Sequence, residues 1–312
     1  MTNAVIEAKG LTKRYRKHLA VDHIDLAIGE GEVFGLLGPN GAGKTPTILM
    51  AMGLTDVSEG TVRVLGLDPA RQPLAVKRHI GYMPDSVGFY DGLTARENLA
   101  YTGRLAGLDR AFIDRRIGEV MARVGLSDVV GHKVRTFSRG MRQRLGLADA
   151  LLKTPRVVIL DEPTTGLDPQ ATQEFLDMIR DLKRDGITII LSSHMLEKVQ
   201  VICDRVALFN AGRVALCGTV TELGRQVLGG GHRILVEARG HEVERALAAI
   251  PGIIRVRREA ELRYVLEAES DIRPAVAASI MRAGGALLSL GIRQASLESV
   301  YTRYFEEVAH AA

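Results

Sequence analysis

Apolar positions along this chain follow two periods. Short, nearly continuous apolar runs at residues 33–37, 157–160 and 188–191 are too brief for helices and read as strands buried on both faces. Residues 5–8, 21–28 and 63–65 read as further strands. Helical spacing sets in at residues 44–52. It returns over 94–124, where Leu99, Leu105, Ile113, Ile117, Val120 and Val124 recur at helical spacing. A helix over 140–152 carries Met141, Leu145, Ala148 and Leu152 on one side and has Ser138 placed to cap it; another spans 170–184. This alternation of strands and helices predicts an α/β core. The texture changes at Gly229-Gly230-Gly231, which reads as a linker. Beyond it, strands at 233–238, 253–257, 264–267 and 286–290 alternate with helices at 242–249, 272–283 and 297–308. That βαββαβ order predicts a small ferredoxin-like α+β module. The expected division is therefore 1–228 and 229–312.

Length and composition agree with two globular domains: 312 residues, 46% hydrophobic and 25% charged. They exclude a disordered, collagenous or disulfide-framework chain. No stretch approaches the ~18 apolar residues that cross a bilayer, and the first residues are charged early with no apolar signal region. The expectation is a soluble chain whose membrane role, if it has one, needs another polypeptide. Cys203 and Cys217 have neither metal nor framework spacing and are expected to be buried as small apolar groups in a reducing compartment. The net charge is +4, yet the segment from His232 onward holds eleven Arg, no Lys and eleven acidic residues. The excess belongs to residues 1–231 and is too small to imply a nucleic-acid partner.

The chemistry starts after the first apolar run. Gly38-Pro39-Asn40-Gly41-Ala42-Gly43-Lys44-Thr45 matches G-x-x-x-x-G-K-[ST], with a strand before it and a helix after it. Glycines let backbone N–H groups curl around phosphate, and the helix N-terminus adds a positive dipole end. Lys44 is expected to reach the β- and γ-phosphates, and the Thr45 hydroxyl to ligate Mg²⁺. Such a loop defines a nucleotide-binding P-loop protein without naming its subclass. The run Val157-Val158-Ile159-Leu160 ends in Asp161-Glu162, so a buried strand delivers two carboxylates to the same sheet edge. Asp161 suits Mg²⁺ binding, and Glu162 suits general-base work on the attacking water.

Phe137-Ser138-Arg139-Gly140-Met141-Arg142-Gln143-Arg144-Leu145 resembles the signature sequence of ATP-binding cassette (ABC) ATPases, in the variant found with ABC-2-type permeases. Gly166-Leu167-Asp168-Pro169 looks like that family's D-loop, Ser192-Ser193-His194 like its switch-histidine loop, and Tyr15 sits where the family stacks adenine. The resemblance covers about residues 3–225. It implies an ABC ATPase core with a helical subdomain at about 86–150, ATP and Mg²⁺ as ligands, and His194 at the γ-phosphate beside Glu162. It implies that Ser138 and the Gly140 region hold the γ-phosphate of a nucleotide on the opposite protomer, giving a head-to-tail homodimer. It also implies a separate ABC-2-type membrane permease and a place on the inner face of the cell membrane.

Two positions depart from the family pattern. Ile80-Gly81-Tyr82-Met83-Pro84-Asp85 aligns with the Q-loop, and Asp85 stands where Gln is usual; a carboxylate keeps an oxygen for Mg²⁺. Pro46 follows Thr45 where the family has Thr or Ser, and removes an N–H and a hydroxyl from the α-phosphate site. The leading expectation is the energy-coupling ATPase of an exporter. The alternatives are a soluble non-transport ABC ATPase and a low-turnover ATP-binding regulatory subunit. The last helix is expected to pack on its own module's sheet.

Overall fold

The computed structural model describes residues 4–228, 232–293 and 296–311. The triglycine at 229–231 lies outside them. The chain divides into two compact units, Met1–Gly218 and Thr219–Ala312. The expected boundary at 228/229 falls at the far end of a helix that begins the second unit.

In the first unit, a three-stranded antiparallel sheet is built from β1 (Ala4–Tyr15), β2 (His18–Gly29) and β4 (Glu59–Val64), in the order β2-β1-β4. A six-stranded sheet uses β3 (Val33–Leu37), β5 (Ile80–Met83), β6 (Val157–Asp161), β7 (Thr188–Ser193), β8 (Arg205–Asn210) and β9 (Arg213–Gly218), in the order β5-β6-β7-β3-β8-β9. All neighbours are parallel except β8 and β9. Every residue of β3, β6 and β7 is buried, including the polar Asp161, Thr188, Ser192 and Ser193 beside their apolar runs. Parallel pairing brings the carboxyl ends of β3, β5, β6 and β7 to one edge. The register sets Ser192 level with both Leu36 and Asp161.

Helix α1 (Lys44–Ala51) follows β3 directly, and α2 (Pro73–His79) precedes β5. The helical stretch expected at 94–124 is two helices, α3 (Ala95–Leu105) and α4 (Arg110–Arg123). Thr94 and Glu97 form a capping box on the first, and the Asp109 carboxylate caps the second. Gly107, at φ +74°, makes the turn between them. Leu105, counted in that helical spacing, ends α3 and is 72% exposed. α5 (Arg139–Leu151) and α6 (Pro169–Arg184) are capped by Ser138 and Asp168, and the short α7 (Leu196–Gln200) follows β7. Cys217 corrects another expectation: it is exposed on β9, between buried Leu216 and Gly218.

The second unit contains α8 (Val220–Leu228), β10 (His232–Arg239), α9 (Val243–Ala248), β11 (Ile253–Ala260), β12 (Arg263–Ala268), α10 (Arg273–Arg282), β13 (Ala286–Arg293) and α11 (Leu297–Ala311). Its sheet order, β11-β12-β10-β13 with every pair antiparallel, is that of a ferredoxin-like βαββαβ module. Ile234, Val236 and Ala238 alternate inward along β10 and meet Val243, Leu247, Val276 and Ile280 of the two helices. α11 packs chiefly on α8, not on the sheet as expected.

Candidate active site

The loop at residues 38–43 joins β3 to α1. Gly38 has φ +146°, and a Cβ there would lie 2.4 Å from the Phe209 carbonyl oxygen of β8. Only glycine lets the loop leave β3 so close to the neighbouring strand. Asn40 and Gly41 are exposed at the loop's tip, while Ala42 and Gly43 are buried beneath it. Lys44 is buried, and its Nζ donates to the carbonyls of Gly38 at 2.6 Å and Pro39 at 3.3 Å. Burial lowers the Lys44 ammonium from its ordinary value, against the opposing pull of Glu162 and Asp161. Pro46 is the third residue of α1, in the first turn, where its missing N–H costs the helix no internal bond.

Asp161 closes β6. The Thr45 hydroxyl donates to Asp161 Oδ2 at 3.2 Å, and the Ser192 hydroxyl donates to Oδ1. Glu162, the next residue, has φ +49°. Its N–H donates to the carbonyl and the hydroxyl oxygen of Ser192, at 3.2 and 3.1 Å. Glu162 Oε2 lies 2.8 Å from His194 Nδ1. For the carboxylate to accept, the ring carries its proton on Nδ1. Glu162 Oε1 is 3.7 Å from Lys44 Nζ. It is buried and has no hydrogen-bond partner among the described residues. A hydroxyl and a carboxylate at Thr45 and Asp161 form an all-oxygen donor set that fits Mg²⁺. Oε1 is an acceptor waiting for a proton, which fits an attacking water.

The structure therefore gathers Lys44, Thr45, Asp161, Glu162 and His194. Asp85 is placed differently. It is exposed two residues beyond β5, and no hydrogen bond or ion pair joins it to Thr45 or Asp161 among the described residues. Its charge is felt at Tyr82, whose hydroxyl is pushed up to about 12 by burial first and then by Asp161 and Asp85. Tyr15 ends β1, 43% exposed, with Lys13 Nζ 4.8 Å from its ring centre.

A second set of residues stands apart from the loop. Ser138 is exposed at the N-terminus of α5, and its oxygen accepts from Met141 N–H at 3.2 Å. Asp168 caps α6 by accepting from Ala171 N–H at 2.8 Å. Ser138, Arg139, Gly140 and Asp168 line one cavity of about 310 Å³, which includes none of residues 38–45. Gln143, buried in α5, donates to the Pro163 carbonyl at 2.8 Å and ties that helix to the turn after Glu162. Ser192 and Gln143 have no assigned role in the sequence reading. A polar residue at the end of an all-buried strand was the available signal for Ser192.

The family model for ABC transporters matches residues 21–165. The linearmycin resistance ATP-binding protein LnrL of Bacillus subtilis is 35% identical over 305 residues, covering 95% of this chain and 97% of that protein. The daunorubicin/doxorubicin resistance ATP-binding protein DrrA of Streptomyces peucetius is 36% identical over 300 residues, covering 95% and 91%. A solved ATP-binding subunit of an ABC transporter superposes with a TM-score of 0.66 at 31% identity, over 72% of this chain and 94% of that one. With a nucleotide loop, an adjacent acidic pair and relatives alike over nearly their whole length, the chain belongs to the ATP-binding, ATP-hydrolysing subunits of ABC transporters.

Proposed function

We propose that this chain drives export through a separate membrane permease of the ABC-2 type, on the inner face of the cell membrane. The observation that carries the catalytic part is the buried Oε1 of Glu162, which makes no hydrogen bond among the described residues and lies 3.7 Å from Lys44 Nζ, while Oε2 meets His194. Lys44 leaves the Gly38 and Pro39 carbonyls to bind the β- and γ-phosphates of ATP, cradled by residues 38–43. Thr45 and Asp161 would hold Mg²⁺, with Asp85 acting from further out. A metal held there would supply charge neutralisation for the phosphoryl group being transferred. Glu162 Oε1 takes a proton from the attacking water, and His194 keeps that carboxylate oriented through Oε2. Tyr15 offers its exposed ring to adenine.

Ser138, Gly140 and Asp168 form the complementary half of a site on a second copy. Among the described residues, the exposed Ser138 makes no hydrogen bond to residues 38–45 of its own chain, and the first N–H groups of a helix such as α5 have no partner within it. Two copies arranged head to tail give two complete sites. Among the described residues no helix is long and apolar enough to cross a membrane. The relatives named for drug resistance match beyond residue 218, which supports export as the direction.

The test is co-purification with a membrane protein encoded beside it, followed by ATPase assay of wild type and Glu162→Gln. Glu162→Gln is expected to lose at least ~100-fold in turnover and to accumulate as an ATP-bound dimer. Retained turnover overturns the assignment of Glu162. A chain that never binds a permease overturns the transport reading.

A further inference from the structure

We propose that Ser192 is a positioning residue that sets Asp161 and Glu162 in their different roles. The inference rests on the assignment of those two carboxylates above.

Consecutive residues on an extended strand point to opposite faces of the sheet. Asp161 is the last residue of β6, and Glu162 directly follows it. Left extended, the chain would send one carboxylate toward the loop at 38–45 and the other away from it. The backbone avoids this by turning at Glu162, where φ is +49°. That conformation is unfavourable for a residue bearing a Cβ and persists only where neighbours enforce it.

Ser192 is the neighbour that enforces it. It is fully buried in β7, in register with Asp161 on one side and Leu36 on the other. Its carbonyl and its hydroxyl oxygen both accept the Glu162 N–H, at 3.2 and 3.1 Å. A serine hydroxyl has one proton to give, and here it goes to Asp161 Oδ1. One side chain thus occupies one oxygen of Asp161 and grips the turn at Glu162. Asp161 is left with Oδ2 directed at the Thr45 hydroxyl, 3.2 Å away. The turn brings Glu162 back to Lys44 and His194. Ser193, the next residue of β7, projects to the opposite face of the sheet, and its hydroxyl oxygen accepts from Met195 N–H at 2.9 Å.

The hydroxyl is tested with two variants of equal volume, Ser192→Thr and Ser192→Val, alongside Ser192→Ala and the control Glu162→Gln in the full chain. Four quantities are read: turnover, the Mg²⁺ concentration for half-maximal activation, and ATP affinity measured with Mg²⁺ and with chelator. Ser192→Val and Ser192→Ala are expected to lose about 10–100-fold in turnover, the range for groups that orient metal ligands. They should also need several-fold more Mg²⁺ and bind ATP more weakly only when Mg²⁺ is present. Ser192→Thr should stay within a few-fold of wild type. Equal turnover and equal Mg²⁺ dependence for Thr and Val, while Glu162→Gln is inactive, overturn the role of Ser192 alone. An active Glu162→Gln overturns the underlying assignment instead.

Discussion

The guanidinium of Arg139 fills the space that a side chain at Gly166 would need. A Cβ on Gly166 would lie 2.3 Å from Arg139 Cζ, and Gly166 itself has φ +71°. The start of α5 and the turn before α6, two motifs far apart in sequence, are therefore fitted to one another.

Gly166→Ala is expected to destabilise the first unit through its backbone, because the left-handed conformation costs an alanine about 1–2 kcal/mol. Displacing Arg139 adds little, because its guanidinium is the far end of an exposed, flexible side chain. Arg139→Gly in the same chain clears the space but leaves the backbone cost. Denaturant unfolding of the two single variants and the double should therefore show nearly additive losses. A double variant clearly more stable than the sum of the two losses would show that moving the guanidinium is itself costly.

His194 holds Glu162 through its Nδ1, 2.8 Å from Oε2. Among the described residues, His194→Ala leaves Glu162 Oε2 with the Thr165 hydroxyl alone, at 3.5 Å. Turnover is expected to fall by about 10²–10⁴-fold, the span for a misaligned acid–base group. KM for ATP should change little, because the phosphate loop is untouched. A large rise in KM with turnover preserved would place His194 in nucleotide binding instead.

Much of this site is legible in the sequence because its parts are local. The loop at 38–45 and the pair Asp161-Glu162 each carry their own strand context, so the parallel sheet edge follows from the alternation of elements. The second unit is legible for the same reason: short alternating strands such as β10 announce their buried face. What stays hidden depends on register and on backbone torsion. That Ser192 lies beside Asp161 is a property of β6–β7 pairing, and the turn at Glu162 is a φ value no residue type announces. Leu105 ends its helix, where an apolar residue no longer belongs to the packed face, and Cys217 shows that a residue type's habit of being buried does not fix which side of a strand it takes. β8 and β9 went unassigned because their polar flanks, Arg205 and Arg213, interrupt the apolar pattern.

Pro46→Thr restores to the first turn of α1 an N–H and a hydroxyl that the wild-type chain lacks. One added hydrogen bond contributes about 0.5–1.5 kcal/mol, which converts to roughly 2–10-fold in affinity. ATP should therefore bind the variant more tightly, by that factor, in a direct titration. The fold should be indifferent, because proline already fits this first turn without breaking an internal helix bond. Equal dissociation constants would show that this position does not face the phosphates.

Asp149 offers a test of the helical region that is independent of nucleotide. It sits on α5 with Oδ1 buried and without a hydrogen-bond partner among the described residues. Burial pushes its carboxyl from 3.8 up to about 6, and the Thr102 hydroxyl and Lys153 pull it back only in part. Between these two values the folded chain holds a proton that the unfolded chain has released. Stability from this group is therefore fully present below about pH 4 and lost as pH rises through 6. The full shift is worth at most about 3 kcal/mol. The side chain is partly exposed, and solvent screening reduces this to about 1–2 kcal/mol. Asp149→Asn keeps the shape and removes the charge. At pH 8 it should raise the melting temperature of the first unit by about 2–8 °C. At pH 4, where wild-type Asp149 is already protonated, the two proteins should melt together. An equal gain at both pH values would trace the effect to packing and dismiss the buried charge as its cause.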